Sequence, residues 1–435
     1  MSLWRVAVCP MSALLIMSVS ALCAAQTRSV ARKSASAASG SSAGAPGTLS
    51  RGDWSQLSKL IPGHPYTFNF GSSVAIAGDT VVVDAQNGDT VAYVFVKTSA
   101  GWGALPVAGL SVPPSTLPGV LPLAIDGDTI VIGHASGGAG YPSYAYVYVK
   151  PTGGWKNMLP AAVLTPSDTI DGCFGSSVAI NGDTIVVGDV GGCFSGTALG
   201  SAYIFVKPAG GWVNGTQTAK LTASDSLPTD FFGESVSISG GTVAVGAPQF
   251  QTEPGKAYVF VQPASGWADM TQTAELTASD AQAEFEVGFS VSVSGDNILA
   301  GAPSIYNLNY PPGNAYLFTK PPGGWVDMTQ TAELLPGSTR PNQTFGSSVT
   351  ISGNLAAVGA PGFGTPPNSE EGGVYIFQEP AGGWKNATGF TALTAADAHY
   401  FNRVGASVRM SGKVLVTGSS VLGGFSGAAY VFGLP

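Results

Sequence analysis

The chain has 435 residues, of which 60 are Gly, 30 are Pro and only 10% are charged. Charged residues normally make up about 25% of a globular protein. The hydrophobic share of 44% is nevertheless too high for a disordered chain. Glycine shows no period of three and helix-forming charged residues are scarce, which excludes collagen, coiled coils and helical bundles. The composition predicts a long all-β chain with many turns.

The first 25 residues have the features of a secretory signal. Arg5 gives the positive start, residues 13–19 form an apolar core, and Cys23-Ala24-Ala25 is a small-residue cleavage site. Residues 26–53, rich in Ser, Ala and Gly, are interpreted as a flexible linker. Its last residues, Arg51-Gly52-Asp53, match an adhesion tripeptide that we interpret as a coincidence. No later apolar run is long enough to span a membrane. The mature protein is therefore predicted to be secreted, extracellular or periplasmic.

From residue 54 onward a pattern of about 50–59 residues repeats seven times. In its first copy Phe70-Gly71 opens a short apolar strand, Gly78 marks a turn to a second strand, Tyr93 lies in a third, and Trp102 follows. Four short strands between Gly and Pro turns are typical of a β-propeller blade. We number the blades in chain order and label their strands A to D from the central channel outward.

The tryptophans predict how the ring closes. One precedes each strand D: Trp54, Trp102, Trp155, Trp212, Trp267, Trp325 and Trp384. The first comes before blade 1, whereas the seventh blade has none. Trp54–Leu60 is therefore predicted to supply the outer strand of blade 7, which removes the exposed edge of an open arc. The predicted fold is all-β: a seven-bladed propeller of four-stranded antiparallel blades over residues 54–435, with a frayed linear solenoid as the rejected alternative.

Two motifs carry a family resemblance. Phe-Gly opens four of the repeats, at residues 70–71, 174–175, 232–233 and 345–346, and Gly-Ala-Pro follows strand B at residues 246–248, 301–303 and 359–361. The chain thus resembles the FG-GAP repeat proteins, and is similar to the seven-bladed propeller of integrin α chains and of many secreted bacterial proteins. The resemblance implies a binding or adhesion module.

One part of that family pattern is missing. Integrin blades often hold calcium in the A–B hairpin on regularly spaced oxygen ligands. Here every A–B connection is a tight turn, as in Gly78-Asp79 and Gly182-Asp183. Two or three residues cannot surround a cation with six oxygens, so we expect no metal site and no cofactor, and interpret these Asp residues as turn formers.

The mature chain keeps two cysteines, Cys173 and Cys193. Cys173 precedes strand A of blade 3 and Cys193 follows strand B, so both lie at the open end of one hairpin. Antiparallel neighbours are about 4.5–5.5 Å apart at Cα, which is within disulfide range. An oxidising compartment permits the bond, and we predict it.

A catalytic constellation is not recognisable. His64, His134 and His399 fall in loops that could share one face, but no nucleophile elbow, paired metal-binding histidines or phosphate loop occurs. Acids recur at one blade position, which favours a structural turn: Asp168, Asp225, Asp280 and Asp397. We therefore expect that the protein is not an enzyme. An extracellular hydrolase or lyase with a site at the channel mouth is the alternative, and perturbed acids clustered there would favour it.

Charge excludes nucleic acid as a partner. Beyond residue 53 the chain has 13 Lys and Arg against 25 Asp and Glu, a net charge of −12, whereas nucleic-acid binding requires a basic surface. We expect a monomer that meets a protein or carbohydrate ligand at a cell surface or in the matrix.

The long D–A and B–C loops share one face and form the candidate binding surface. Aromatic residues on loops of a rigid scaffold suit recognition of a protein or sugar. The alternative is that these side chains fold back over the blade edges and have only a structural role. The candidates are Tyr141, Phe250, Tyr306, Tyr310, Phe363 and Phe425. A structural component of a surface assembly, attached through residues 26–53, is a further alternative.

Overall fold

The computed structural model describes residues 54–64, 67–113, 121–135, 143–168, 173–191, 198–249, 253–280, 282–305, 312–337, 343–362, 371–389, 392–398, 402–420 and 427–434. Over these residues the chain forms strands and turns and no helix. The predicted signal segment and linker lie outside them.

Seven antiparallel sheets form the blades, and in each the strands lie in the order A, B, C, D. Strands A to D are Val74–Ala77, Thr80–Asn87, Thr90–Thr98 and Ala108–Ser111 in blade 1; Leu123–Asp126, Thr129–His134, Tyr144–Val149 and Ala162–Leu164 in blade 2; Phe174–Asn181, Thr184–Asp189, Ser201–Val206 and Ala219–Thr222 in blade 3; Ser235–Ser239, Thr242–Ala247, Lys256–Val261 and Ala274–Thr277 in blade 4; Ser290–Ser294, Asn297–Ala302, Asn314–Thr319 and Ala332–Pro336 in blade 5; Ser348–Ser352, Leu355–Ala360, Gly373–Gln378 and Ala392–Leu393 in blade 6; and Ser407–Ser411, Val414–Ser419, Ala428–Gly433 and Ser55–Leu60 in blade 7. Four two- or three-residue strands lie in C–D loops: Gly101–Trp102, Met270–Thr271, Met328–Thr329 and Ala387–Gly389.

The predicted ring closure is confirmed. Ser55–Leu60 pairs antiparallel with Ala428–Gly433, and Lys59 lies opposite Tyr430. The seven A strands also contact one another in cyclic order, including those of blades 7 and 1. The polypeptide therefore forms a ring whose last blade is built from both ends of the described chain.

Seven large hydrophobic clusters form most of the core, one between each pair of neighbouring blades. Each cluster contains one of the repeated tryptophans; Trp267, for example, packs with Val186 of blade 3 and Tyr258 of blade 4. We predicted that strand D begins at this Trp, which holds for Trp54 and Ser55–Leu60 of blade 7. In the other blades strand D begins several residues later: Trp212 is in a C–D loop, and strand D is Ala219–Thr222. The indole is therefore placed between blades, where it seals their contact.

The glycines of the two repeated motifs meet across six of the seven blade interfaces; the exception is the interface of blades 1 and 2, where blade 1 has Asp84 at this position. A Cβ atom on Gly246, from Gly-Ala-Pro of blade 4, would lie 1.9 Å from the carbonyl oxygen of Gly288, which opens blade 5. The same contact joins Gly301 to Gly346 and Gly418 to Gly71. No side chain fits there, so the two motifs are the two halves of one close contact between neighbouring blades.

Candidate binding face

Strand direction gives the propeller two different faces. Strands A and B are joined by two-residue turns, so that Ala77 pairs with Thr80 and Ser239 with Thr242. These turns and the C–D loops lie together, and we call that side the turn face. The D–A and B–C loops lie at the other ends of the strands, and we call that side the loop face.

All six predicted aromatic candidates lie outside the described residues: Tyr141, Phe250, Tyr306, Tyr310, Phe363 and Phe425. They belong to B–C loops of blades 2, 4, 5, 6 and 7, and the strand ends on either side of each are described. These strand ends lie on the loop face, and both the placement and the role of the six aromatic residues stay predictions.

Eight described residues other than glycine have a positive φ, and all lie in loops of the loop face. They are Asn69, Phe231, Gln249, Glu284, Glu286, Ser304, Thr344 and Arg403. Five of them occupy one repeated position, directly before the Phe-Gly or Val-Gly that opens a blade, and Gln249 and Ser304 share another, directly after Gly-Ala-Pro. On the turn face, positive φ angles of the described residues belong to glycine alone, as at Gly240 and Gly295.

These strained positions are held by hydrogen bonds between the two loops of one blade. The carboxylate oxygens of Glu286, a fully buried side chain, each lie 3.2 Å from the backbone N–H of Ile305 in the B–C loop. In blade 6 the N–H of Gly362 donates to the carbonyl oxygen of Gln343 at 3.1 Å and lies 3.2 Å from Oγ1 of Thr344. The D–A and B–C loops of a blade are thus fastened together beneath the surface.

Three acids near the loop face have altered acidity. Burial raises the pKa of Asp84 to about 7, although the N–H groups of Gly71 and Ser73 and the hydroxyl of Ser72 donate to its carboxylate. Burial also raises the pKa of Glu234 to about 7. The pKa of Asp230 is raised as well, chiefly by burial. Asp84 belongs to blade 1 and the other two to blade 4.

The recurring acids have structural partners, in agreement with the interpretation as turn residues. The hydroxyl of Tyr258 donates to Asp225 at 2.8 Å, and Lys256 contacts the same carboxylate at 2.6 Å. Burial alone would raise the pKa of Asp225, but these hydrogen bonds lower it below its ordinary value. Two further pairs, Lys220 with Asp168 and Lys59 with Asp397, lie at 2.5 Å. The acids fasten D–A loops to strands C and D.

The three histidines do not form a site in the described part of the chain. His64 is exposed in a D–A loop. His134 is buried at the end of strand B in blade 2, with its ring 6.2 Å from that of Tyr146. His399 lies outside the described residues. Among the residues the structure describes, no group of three or more His, Cys, Asp or Glu is placed to hold a metal ion.

The predicted disulfide is described on one side only. Cys173 is fully buried, and its Sγ lies 3.6 Å from the carbonyl oxygen of Gly191 near the end of strand B. Cys193 lies outside the described residues, so the pairing with Cys193 stays a prediction. Alkylation of the denatured, unreduced mature protein is expected to find no free thiol, and two reactive thiols would contradict it.

The repeated glycine contact and the closed ring define the class of this protein, a seven-bladed β-propeller. Comparison with family models agrees: the FG-GAP repeat matches residues 160–205, 216–260, 270–318 and 328–377. Each match runs from the outer part of one blade to strand C of the next, and together they cover strands A to C of blades 3 to 6. The chain is an FG-GAP propeller protein. No curated protein matches it. Within the described residues, no helix has the length and apolar character to cross a bilayer.

Proposed function

We propose that the protein is a secreted, non-enzymatic binding or adhesion module whose loop face recognises a protein or glycan ligand at a cell surface or in the matrix. The observation that carries this proposal is the confinement of all eight described non-glycine residues with positive φ to the loop face.

Such residues are informative because the left-handed conformation costs an L-residue about 1–2 kcal/mol. On the turn face the chain avoids this cost with glycine, whereas on the loop face it keeps Phe231, Glu286 and Thr344. Backbone strain held in place by surrounding structure is found preferentially where loops are pre-organised for a ligand. A rigid binding surface of this kind loses little conformational entropy when it binds a ligand.

The enzyme alternative receives less support. The acids whose pKa rises to about 7, Asp84 and Glu234, lie in blades 1 and 4, and burial rather than a second carboxylate raises each pKa. Paired acids that share a site would raise one another. Besides burial, Asp225 adds to the raised pKa of Asp230, but hydrogen bonds from Lys256 and Tyr258 outweigh burial and lower the pKa of Asp225 itself. The proposal therefore assigns the face to binding.

The test compares two surface variants of the mature protein on a glycan array and in cell-surface pull-downs. The first variant replaces Tyr306, Tyr310 and Phe363 of the loop face by Ser. The matched control replaces exposed apolar residues of the C–D loops by Ser: Leu105, Val213 and Val326, exposed by 60%, 56% and 53%.

We expect the parent and the turn-face control to bind one class of ligand, and the loop-face variant to lose at least about tenfold in affinity. Unchanged binding by the loop-face variant would place the interface elsewhere. Turnover of a polysaccharide or peptide without stable binding would favour the enzyme. Binding only to surface components of the cell that produces the protein would favour a structural role in a surface assembly.

A further inference from the structure

The inner edge of the propeller contains a ring of backbone N–H groups that face the channel. Strand A is the innermost strand of every blade. It pairs with strand B through alternate residues only, so the other N–H groups point away from the sheet. In blades 5 and 6 one such group finds an acceptor in the preceding blade: Val293 donates to Oγ of Ser237 at 3.0 Å, and Ile351 to Oγ of Ser292 at 3.1 Å.

The other side of the ring lacks these acceptors. The position of Ser237 is occupied by Ala75, Ala124 and Ala179 in blades 1 to 3 and by Arg409 in blade 7. Neither alanine nor arginine carries a side-chain acceptor. Each of these four positions lies beside a backbone N–H group of the next blade around the ring. These N–H groups have no hydrogen-bond partner among the described residues: Ile76, Ile125, Ile180 and Ile238.

Arg409 adds a cation to this donor-rich arc. It lies on strand A of blade 7, beside strand A of blade 1. The N–H groups of Val74 and Gly78 donate to Oγ of Ser407 and Ser411, and this register places Arg409 opposite Ile76. Its side chain is half-buried, and burial lowers the pKa of its guanidinium. Nη1 donates to the carbonyl oxygen of Val408 at 2.9 Å, and no ion pair of the described residues includes Arg409.

Among the described residues Val408 is the only hydrogen-bond acceptor of Arg409, so the other N–H donors of its guanidinium can bind a ligand from outside the protein. The guanidinium remains protonated at all ordinary pH values and has five N–H donors in a planar fork, which suits an oxyanion. The residues at the same position in the other six blades are no larger than threonine: Ala75, Ala124, Ala179, Ser237, Ser292 and Thr350. The propeller as a whole carries a net charge of −12, so general attraction of anions does not account for this site.

We propose that the channel binds one small oxyanion at the level of Arg409, held by the guanidinium and by the free N–H group of Ile76. The class of ligand is a carboxylate, sulfate or phosphate group, either as a free ion or as part of a larger molecule that enters the channel. This site is separate from the loop face and goes beyond the function proposed for it.

The test is isothermal titration calorimetry of the mature full propeller with sulfate, phosphate and acetate at constant ionic strength, with chloride as the reference ion. The parent protein is expected to bind at least one of these oxyanions saturably at one site. Arg409→Ser introduces the residue that blades 4 and 5 have at this position, so it is compatible with the fold, and it should weaken binding at least about tenfold.

Two further variants keep the result interpretable. Lys385→Ser removes one positive charge from an exposed C–D loop and should bind like the parent. Arg409→Lys keeps the charge without the planar fork and should bind with intermediate affinity. Absence of saturable binding by the parent, or equal affinity of the parent and a folded Arg409→Ser variant, would overturn the proposal and leave the channel as a water-filled space.

Discussion

The backbone N–H of Glu275 in blade 4 donates a 2.9 Å hydrogen bond to Oδ1 of Asp327 in blade 5. Asp327 stands two residues after Trp325, and the same contact recurs wherever an Asp or Asn follows the tryptophan at this spacing. The other donor–acceptor pairs are Gly109 with Asn157, Val163 with Asn214, Lys220 with Asp269 and Glu333 with Asn386, at 2.7–2.9 Å. Each of blades 2 to 6 thus caps the outer edge of the blade before it.

This inter-blade cap can be removed without touching the core. Asp327→Ala leaves the N–H of Glu275 without its acceptor and is expected to lower the free energy of unfolding by about 1 kcal/mol. Asp327→Asn is the matched control, because Asn performs the same role in blades 2, 3 and 6, and it should behave like the parent in urea unfolding. Equal losses in both variants would show that the charge, not the hydrogen bond, is responsible.

The two kinds of glycine should respond differently to alanine. Gly246→Ala places a Cβ atom 1.9 Å from the carbonyl oxygen of Gly288, and the blades must separate, at a cost of at least about 3 kcal/mol. Gly240 has a φ of 56° and open space around it, so Gly240→Ala should cost only about 1–2 kcal/mol of backbone strain. Thermal unfolding measures both, and the reverse order would refute the contact argument.

Ring closure predicts a sharp boundary for truncation. A chain that begins at Trp54 keeps strand D of blade 7 and should unfold at the same temperature as one with the preceding linker. A chain that begins at Ile61 lacks Ser55–Leu60 and exposes the edge of Ala428–Gly433, which should lower the unfolding temperature and cause aggregation. Calorimetry and light scattering compare the two, and comparable stability would mean that the closing strand is dispensable.

Stability should also depend on pH through Asp84. The folded state raises the pKa of Asp84 to about 7, whereas an unfolded Asp ionises near pH 4. Between about pH 4 and 7 the folded protein therefore holds a proton that the unfolded chain has lost, and stability falls as the pH rises. Asp84→Asn should make this fall shallower, and Glu234 and Asp230, whose pKa values burial also raises, contribute in the same direction.

Urea unfolding at several pH values in this window tests the prediction. Asp79→Asn removes the same charge from an exposed A–B turn of the same blade and should keep the slope of the parent. A parent slope that Asp84→Asn leaves unchanged would mean that the buried carboxyl does not govern the pH dependence.

The sequence predicted the blades because each uses local signals that repeat. Alternating apolar residues mark the strands and Gly78 or Gly240 the turns, while the surplus Trp54 indicates the closure. Contacts between blades were less visible. The acceptor role of Asn157 or Asp327 joins residues about 50 positions apart, although the recurrence of Asp or Asn two residues after Trp was a readable signal.

The candidate site was predictable only as a face. Topology alone places the D–A and B–C loops together, but nothing in the identities of Phe231, Glu286 or Arg403 indicates a left-handed backbone, which is ordinarily a glycine conformation. The free N–H arc around Arg409 was equally hidden, because it depends on which side chain a different blade places beside each strand.

The pairing of Lys59 with Tyr430 has a consequence for biosynthesis. These residues are separated by almost the whole propeller, so the outer strand of blade 7 leaves the ribosome first and must wait for the last strand of the chain. Six blades can form during synthesis, but the seventh cannot, and the incomplete arc has an open sheet edge throughout that interval. Synthesis of the strand Ala428–Gly433, rather than formation of any earlier blade, is therefore the event that allows the ring to close.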